Sequence, residues 1–220
     1  MALQRFDIDA LPATPWKNGG GSTREVACWP LGAGFDAFDW RVSIANIAAS
    51  GPFSQFPGVD RVITLLDGDG VHLQGEGIDH RLATPLAPFA FTGNARVDCT
   101  LLGGASSDFN VMTRRGLMRT ELRVLRGAAE LAAAPHGLLL AWRGDWQVNG
   151  EPLTQGQGLW WADADAEADT EAGITAARDA GAVTAWQLRT ANANATTAAN
   201  ADRAATPAPA LLAVQWQRAS

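Results

Sequence analysis

The chain has one lysine, two cysteines and three histidines among 220 residues, and each scarcity excludes something. Cys28 and Cys99 lie in apolar, strand-like stretches, and their spacing fits no metal or redox pattern. They are expected as buried reduced thiols, as suits a cytoplasmic protein. His72, His80 and His136 stand alone, so each is expected as a packed or surface residue. No apolar run approaches the ~20 residues that cross a bilayer, and residues 1–7 lack the apolar core of a signal peptide. The net charge is −6 and no basic recognition helix is apparent, which argues against nucleic acid or an anionic membrane as partner. No nucleophile elbow and no Ser-His-Asp arrangement is visible.

What the chain does have is concentrated around its one lysine, Lys17. Residues 15–25 read Pro-Trp-Lys-Asn-Gly-Gly-Gly-Ser-Thr-Arg-Glu. Consecutive glycines let the backbone take positive φ and approach other groups closely, so the stretch is expected to be a rigid turn presenting polar side chains. It is not a Walker loop: there the lysine follows the glycines and a helix comes next, whereas Lys17 precedes them and Thr-Arg-Glu-Val-Ala-Cys-Trp reads as a strand. The spacing does not fit a dinucleotide fingerprint either. A plain glycine-rich turn with an exposed lysine is the simpler alternative.

Hydrophobic residues make up 47% of the chain, enough for a sizeable core in one large β domain or two small ones. Residues 38–47 alternate, with Trp40, Val42 and Ile44 on one face and Arg41, Ser43 and Ala45 on the other. Residues 53–58 form a loop and residues 61–66 a strand. Asp67-Gly-Asp-Gly70 reads as a hairpin turn from which residues 71–73 return. Residues 89–91 and 97–102 continue the run of short strands, the pattern of a sandwich or barrel. Residues 108–115 alternate with one strongly polar face. In residues 118–124 a helix would align Arg115, Arg119 and Arg123, but the cleaner apolar alternation favours a strand. Residues 138–150 repeat the strand, turn, strand, turn order of residues 62–73, a faint duplication with its boundary near residues 116–126. Trp142, Trp146, Trp160 and Trp161 are expected in the core. Residues 163–171 are acidic and peripheral. Residues 190–209 are an Ala/Asn/Thr tract expected as an expanded loop between two strands, residues 183–188 and 211–216.

Four motifs in this order resemble the HutD/Ves family: residues 15–25, Asp39-Trp-Arg-Val-Ser-Ile-Ala, Phe53-Ser-Gln-Phe-Pro-Gly-Val-Asp-Arg61 and Asp108-Phe-Asn-Val-Met-Thr-Arg-Arg115. They cover residues 1–120, and the rest matches only in its β pattern. The resemblance implies an all-β bicupin, two cupin-type barrels divided as residues 1–120 and 121–220. It implies association with bacterial histidine utilisation, restraint of that pathway's expression, a ligand such as N-formylglutamate or urocanate, and no enzymatic activity.

The residues speak to the metal separately. A metal-dependent cupin uses a His-x-His pair and a Glu before its glycine turn, then a later His. Here those positions fall near Phe53, Gln55 and Arg61, which cannot hold a divalent cation. No metal and no other cofactor is expected.

A barrel mouth carrying Lys17, Arg24, Arg41 and Arg61 is positive inside an acidic protein and suits a small carboxylate, which a guanidinium grips through two parallel hydrogen bonds. Trp16 supplies a wall. Asn18, Gln55 and Asn110, with Asp108 and Arg114, complete the expected ligand-binding set. The strand phase is open, because a shift of one residue turns every side chain to the other face. Arg41 and Arg61 have an alternative as structural ion-pair partners of Asp39, Asp60 or Asp108. Two other functions stay open. One is a cofactor-free enzyme acting on a small carboxylate with Lys17 or Asp108 as general base. The other is a protein-interaction module that inhibits a regulator. The second barrel is structural or forms a homodimer contact.

Overall fold

The computed structural model describes residues 2–163, 184–191 and 207–219. Nearly all of the regular structure is β. The strands are β1 (Ala2–Asp7), β2 (Ala13–Pro15), β3 (Gly21–Trp29), β4 (Trp40–Ile47), β5 (Gly51–Pro52), β6 (Val59–Gly68), β7 (Val71–Gly75), β8 (Ile78–Leu82), β9 (Pro88–Thr92), β10 (Val97–Leu101), β11 (Ser106–Arg114) and β12 (Met118–Leu125). They continue with β13 (Ala129–Ala132), β14 (His136–Arg143), β15 (Trp146–Val148), β16 (Glu151–Leu153), β17 (Gln157–Ala162), β18 (Ala185–Thr190) and β19 (Ala210–Arg218). No helix among the described residues is long and apolar enough to cross a membrane.

The chain divides into two compact units. One comprises Ala10–Thr120 with Arg218–Ser220. Its six-stranded sheet has the order β2-β3-β4-β11-β6-β9, and its four-stranded sheet the order β5-β10-β7-β8. Period-two alternation decides what each strand buries. From β4 and β6, Ile47, Ile63 and Leu65 meet Val71, Leu73, Leu82, Val97 and Cys99 of the smaller sheet in one core. Further along the same inner face the side chains become polar: Arg41 and Ser43 on β4, Arg61 on β6, and Asp108 and Asn110 on β11 are all buried. Trp40, Val42, Phe109 and Val111, which alternate with them, are fully buried as well.

The other unit comprises Glu121–Gln217 with Met1–Asp9. Its sheets run β1-β17-β14-β19-β12 and β13-β18-β15-β16. Leu139, Leu159, Trp161, Leu211 and Ala213 pack with Leu131, Trp146, Leu153, Trp186 and Leu188. Trp160 is also buried, while Trp142 is only half-buried.

Two expectations are corrected. The division by residue number alone misplaces the N-terminus: β1 pairs antiparallel with β17, Ala2 against Ala162 through Asp7 against Gln157, so residues 1–9 belong with the later strands. The Asp67-Gly70 segment is not a hairpin, because β6 and β7 lie in different sheets. Gly68 and Gly70 take φ of 93° and 88° and turn the chain out of one sheet and into the other. A side chain on Gly68 would meet the Ala105 carbonyl at 2.4 Å. The two strands expected on either side of the Ala/Asn/Thr tract are present as β18 and β19, which lie in separate sheets. Residues 164–171 of the acidic stretch and most of the Ala/Asn/Thr tract, residues 192–206, lie outside the described residues.

The duplicated order is visible in the turns. As β6 leads through glycines into β7 of the other sheet, so β14 leads through Gly144, at φ 69°, into β15. Asn149 and Gly150 then close a two-residue hairpin to β16 with positive φ at both positions, as a type I′ turn requires.

Candidate ligand-binding site

The turn at residues 15–21 forms one wall of a cavity in the Ala10–Thr120 unit. β2 and β3 pair antiparallel, with Thr14 against Thr23, and the intervening turn closes through Trp16 N–H donating to the Gly21 carbonyl at 2.9 Å. Gly21 must lack a side chain, because a Cβ there would sit 2.2 Å from the Asn46 carbonyl and 3.0 Å from the Trp16 ring. The Trp16 indole is fixed by donating to Thr23 Oγ1 at 2.7 Å. The Asn18 carboxamide is partly committed to its own turn, accepting from Gly20 N–H at 3.0 Å.

The cavity has a volume of about 850 Å³, within the range of small-molecule sites. Its buried end is the polar part of the inner sheet face, with Arg41, Ser43, Arg61, Asp108, Asn110 and Met112. Its exposed rim carries Lys17, Asn18 and Gln55. Phe35, Phe53 and Phe56 add apolar walls.

Arg61 is a buried cation in it. Its guanidinium lies among Phe53, Phe56 and Phe91, at 5.3, 5.7 and 4.9 Å from the ring centroids, within cation–π range. Its Nε donates to Asn110 Oδ1 at 3.4 Å. Its terminal nitrogens make no hydrogen bond to the described residues, and the side chain lines the cavity. Burial lowers the Arg61 pKa to about 10, with Asp108 opposing and Arg41 adding to the fall, so the group stays charged at neutral pH.

Asp108 is the complementary case. Burial raises its carboxyl to about 7, against the pull of Arg61. Desolvation exceeds the attraction because the two groups make no direct ion pair and Asp108 accepts no hydrogen bond among the described residues. Both partners report the same balance: each loses more by leaving water than it gains from the other.

Arg41 is held differently. Its Nε donates to Glu25 Oε2 at 2.7 Å, and its guanidinium lies 4.8 Å from the centre of the Phe35 ring. Its structural partner is therefore Glu25 and not Asp39. Asp60 is taken by Arg115, at 2.6 Å.

A family model described as HutD matches residues 9–200.

The chain belongs to the HutD family. Protein Ves of Cronobacter sakazakii is 41% identical over 160 residues, which cover 72% of this chain and 87% of that one. The solved structure of HutD from Pseudomonas fluorescens SBW25, in a formate condition, matches with a TM-score of 0.75 at 28% identity over 100% of both chains. The Escherichia coli protein Ylba matches with a TM-score of 0.58 at 8% identity, over 97% of this chain and 90% of that one, a likeness of fold alone. Its fold is of the cupin kind, and this HutD-family chain is an all-β bicupin.

Of the ten residues expected at the ligand, the fold brings eight to the cavity of this HutD-family chain: Trp16, Lys17, Asn18, Arg41, Gln55, Arg61, Asp108 and Asn110. Two are elsewhere. Arg24 lies between Thr23 and Glu25, which both line the cavity, so strand alternation turns it to the opposite face of β3. Arg114 shares the phase of Asp108 and Asn110, but it ends β11 and donates to the carbonyls of Asp36, at 2.8 Å, and Phe38, at 3.3 Å. Gln55 lines the rim while donating to the Asn94 carbonyl at 2.8 Å. Glu25, Phe35, Phe53 and Phe56, outside that set of ten, also line the cavity. The signal was present in Phe53-Ser-Gln-Phe56, two aromatics in a loop otherwise made of turn residues.

The residues do not fit the metal that many cupins carry. Phe53, Gln55 and Arg61, at the expected ligand positions, all line the cavity. An aromatic ring and a guanidinium offer no lone pair to a cation, and Arg61 repels one. The histidines are placed elsewhere: His72 contacts Asp79 at 2.5 Å, His80 stacks on Phe89 at 3.7 Å, and His136 is buried in β14. Among the described residues no group of three or more His, Cys, Asp or Glu side chains comes together.

Proposed function

We propose that this HutD-family protein binds a small carboxylate in the Arg61 cavity and that occupancy restrains expression of the histidine-utilisation genes. The observation that carries the reading is Arg61, a buried guanidinium whose terminal N–H groups face a cavity instead of a protein partner. A buried charge without a partner is costly, and an anion that satisfies it recovers that cost. Each charge-assisted hydrogen bond contributes roughly 1.5–3 kcal/mol. Two of them supply about 3–6 kcal/mol of the ~8 kcal/mol of micromolar binding, and the aromatic wall adds to them. N-formylglutamate and urocanate are the first ligands to try, since family membership associates the chain with histidine utilisation. Calorimetry against both, with the Arg61→Ala variant as control, tests the assignment. Saturable binding lost in the variant supports it, and undiminished binding in the variant overturns it.

One observation favours a second reading. A carboxyl raised to about 7 is poised as a general base near neutral pH, so Asp108 is the residue through which a cofactor-free enzyme would act. Conversion of N-formylglutamate by the wild type, lost in Asp108→Asn, would put that reading first.

A further inference from the structure

Asp108 carries more information than its place in the wall. Its register partners across the strands are Ala45 on β4 and Leu65 on β6, neither of which offers a side-chain hydrogen bond. It lines the cavity, is buried, and accepts no hydrogen bond among the described residues. The one donor of Arg61 directed at a neighbour goes to Asn110. The charged and titratable groups around it are Arg61 from β6, Arg41 from β4, Glu25 from β3, Lys17 from the β2–β3 turn and Cys99 from β10. Glu25 is engaged by Arg41.

We propose that Asp108 meets the ligand as a neutral carboxylic acid, donating its O–H to an oxygen of the anion held on Arg61, so that the cavity selects anions lacking an ammonium group. This rests on the carboxylate-binding reading above and adds the specificity to it.

The alternative chemistry is explicit. An ionised Asp108 beside Arg61 would read a zwitterion, carboxylate on the guanidinium and ammonium on the carboxylate. Three features oppose it. Ionising Asp108 leaves a charge with no donor among the described residues, and burial already raises its pKa to about 7 despite Arg61. An anion bound to Arg61 adds a negative charge and raises that pKa further. Lys17, Arg41 and Arg61 all face the same space, against Asp108 and an engaged Glu25, and repel an ammonium. The proton balance is therefore defined. At a pH where free Asp108 is ionised, binding takes one proton from solvent onto its carboxylate, and release returns it.

N-formyl-L-glutamate and L-glutamate separate the two chemistries, since they share their carboxylates and differ in carrying an amide or an ammonium. Titration calorimetry in two buffers of different ionisation enthalpy counts protons. The expected result is proton uptake with N-formylglutamate, an affinity that falls about tenfold per pH unit above the Asp108 titration, a flat profile in Asp108→Asn, and weaker binding of glutamate. Proton release, a preference for glutamate, or pH-independent binding without proton exchange overturns the proposal while leaving a carboxylate site. Failure of both compounds to bind overturns the site reading with it. A second measurement needs no ligand: the infrared difference between wild type and Asp108→Asn at mildly acidic pH is expected to show the C=O stretch of a protonated carboxyl. A spectrum with carboxylate bands alone overturns the proposal.

Discussion

Arg41 and Arg61 stand opposite the same residue, Met112, from the two strands that flank β11. Equal register on one sheet puts both guanidinium groups on one face, and the cavity opens over that face. Their difference lies in their partners. Arg41 is bonded to Glu25, while Arg61 has its terminal nitrogens free among the described residues and its cationic face among phenylalanine rings.

Arg61→Ala is expected to weaken carboxylate binding by about 100-fold or more, the loss of two charge-assisted bonds. The fold holds, because Asp108 takes up a proton when its opposing charge is gone. Arg61→Lys recovers part of the affinity, since an ammonium cannot form the parallel pair. Calorimetry gives the affinities and near-ultraviolet circular dichroism the integrity of the fold.

Glu25→Gln is expected to tighten carboxylate binding a few-fold, because it removes a competing negative charge and releases the Nε of Arg41. Its effect on stability is small, within about 1 kcal/mol, since the Glu25 side chain is 53% exposed and the pair is screened. Weaker binding in this variant would show that Arg41 needs Glu25 to be positioned.

Asp108 makes stability depend on pH in a defined direction. Its folded-state pKa, about 7, lies above its ordinary 3.8. Between those values the folded chain holds a proton that the unfolded chain has released, so stability falls as pH rises through that window and levels off above it. Asp108→Asn is expected to remove this slope and to be the more stable protein at alkaline pH. Urea denaturation across the pH range reads both effects.

Gly21→Ala is expected to cost about 1–3 kcal/mol, because the new Cβ strikes the Asn46 carbonyl and the Trp16 ring. It should lower both the Tm and the ligand affinity, by moving the turn that carries Trp16 and Lys17. Gly34→Ala is the control: nothing lies within 4 Å of its Cβ position, and its Tm should be nearly unchanged.

The β character, the turns and most of the strands were legible because alternation and glycine chemistry are local. Sheet membership was not. Asp67-Gly-Asp-Gly70 carries the composition of a hairpin, and only packing decides that β7 leaves for the smaller sheet. The N-terminal strand likewise has nothing in its sequence to tie it to β17. Within the cavity, the polar residues were visible as residue types, but their phase came from register. Arg24 and Arg41 look alike in the sequence, and plain alternation between Thr23 and Glu25 turns Arg24 away. Arg114 continues the polar face of Asp108 and Asn110, yet two loop carbonyls capture it at the strand end. The phenylalanines around Arg61 come from one loop, Phe53 and Phe56, and an edge strand, Phe91, and no local pattern joins the two.

The most direct test of the account is a calorimetric titration of N-formylglutamate and urocanate into the wild-type protein and its Arg61→Ala variant. Saturable binding of one ligand per chain to the wild type, abolished in the variant, is the predicted result. Binding that survives the loss of Arg61, or no binding to the wild type, would contradict the assignment of the cavity.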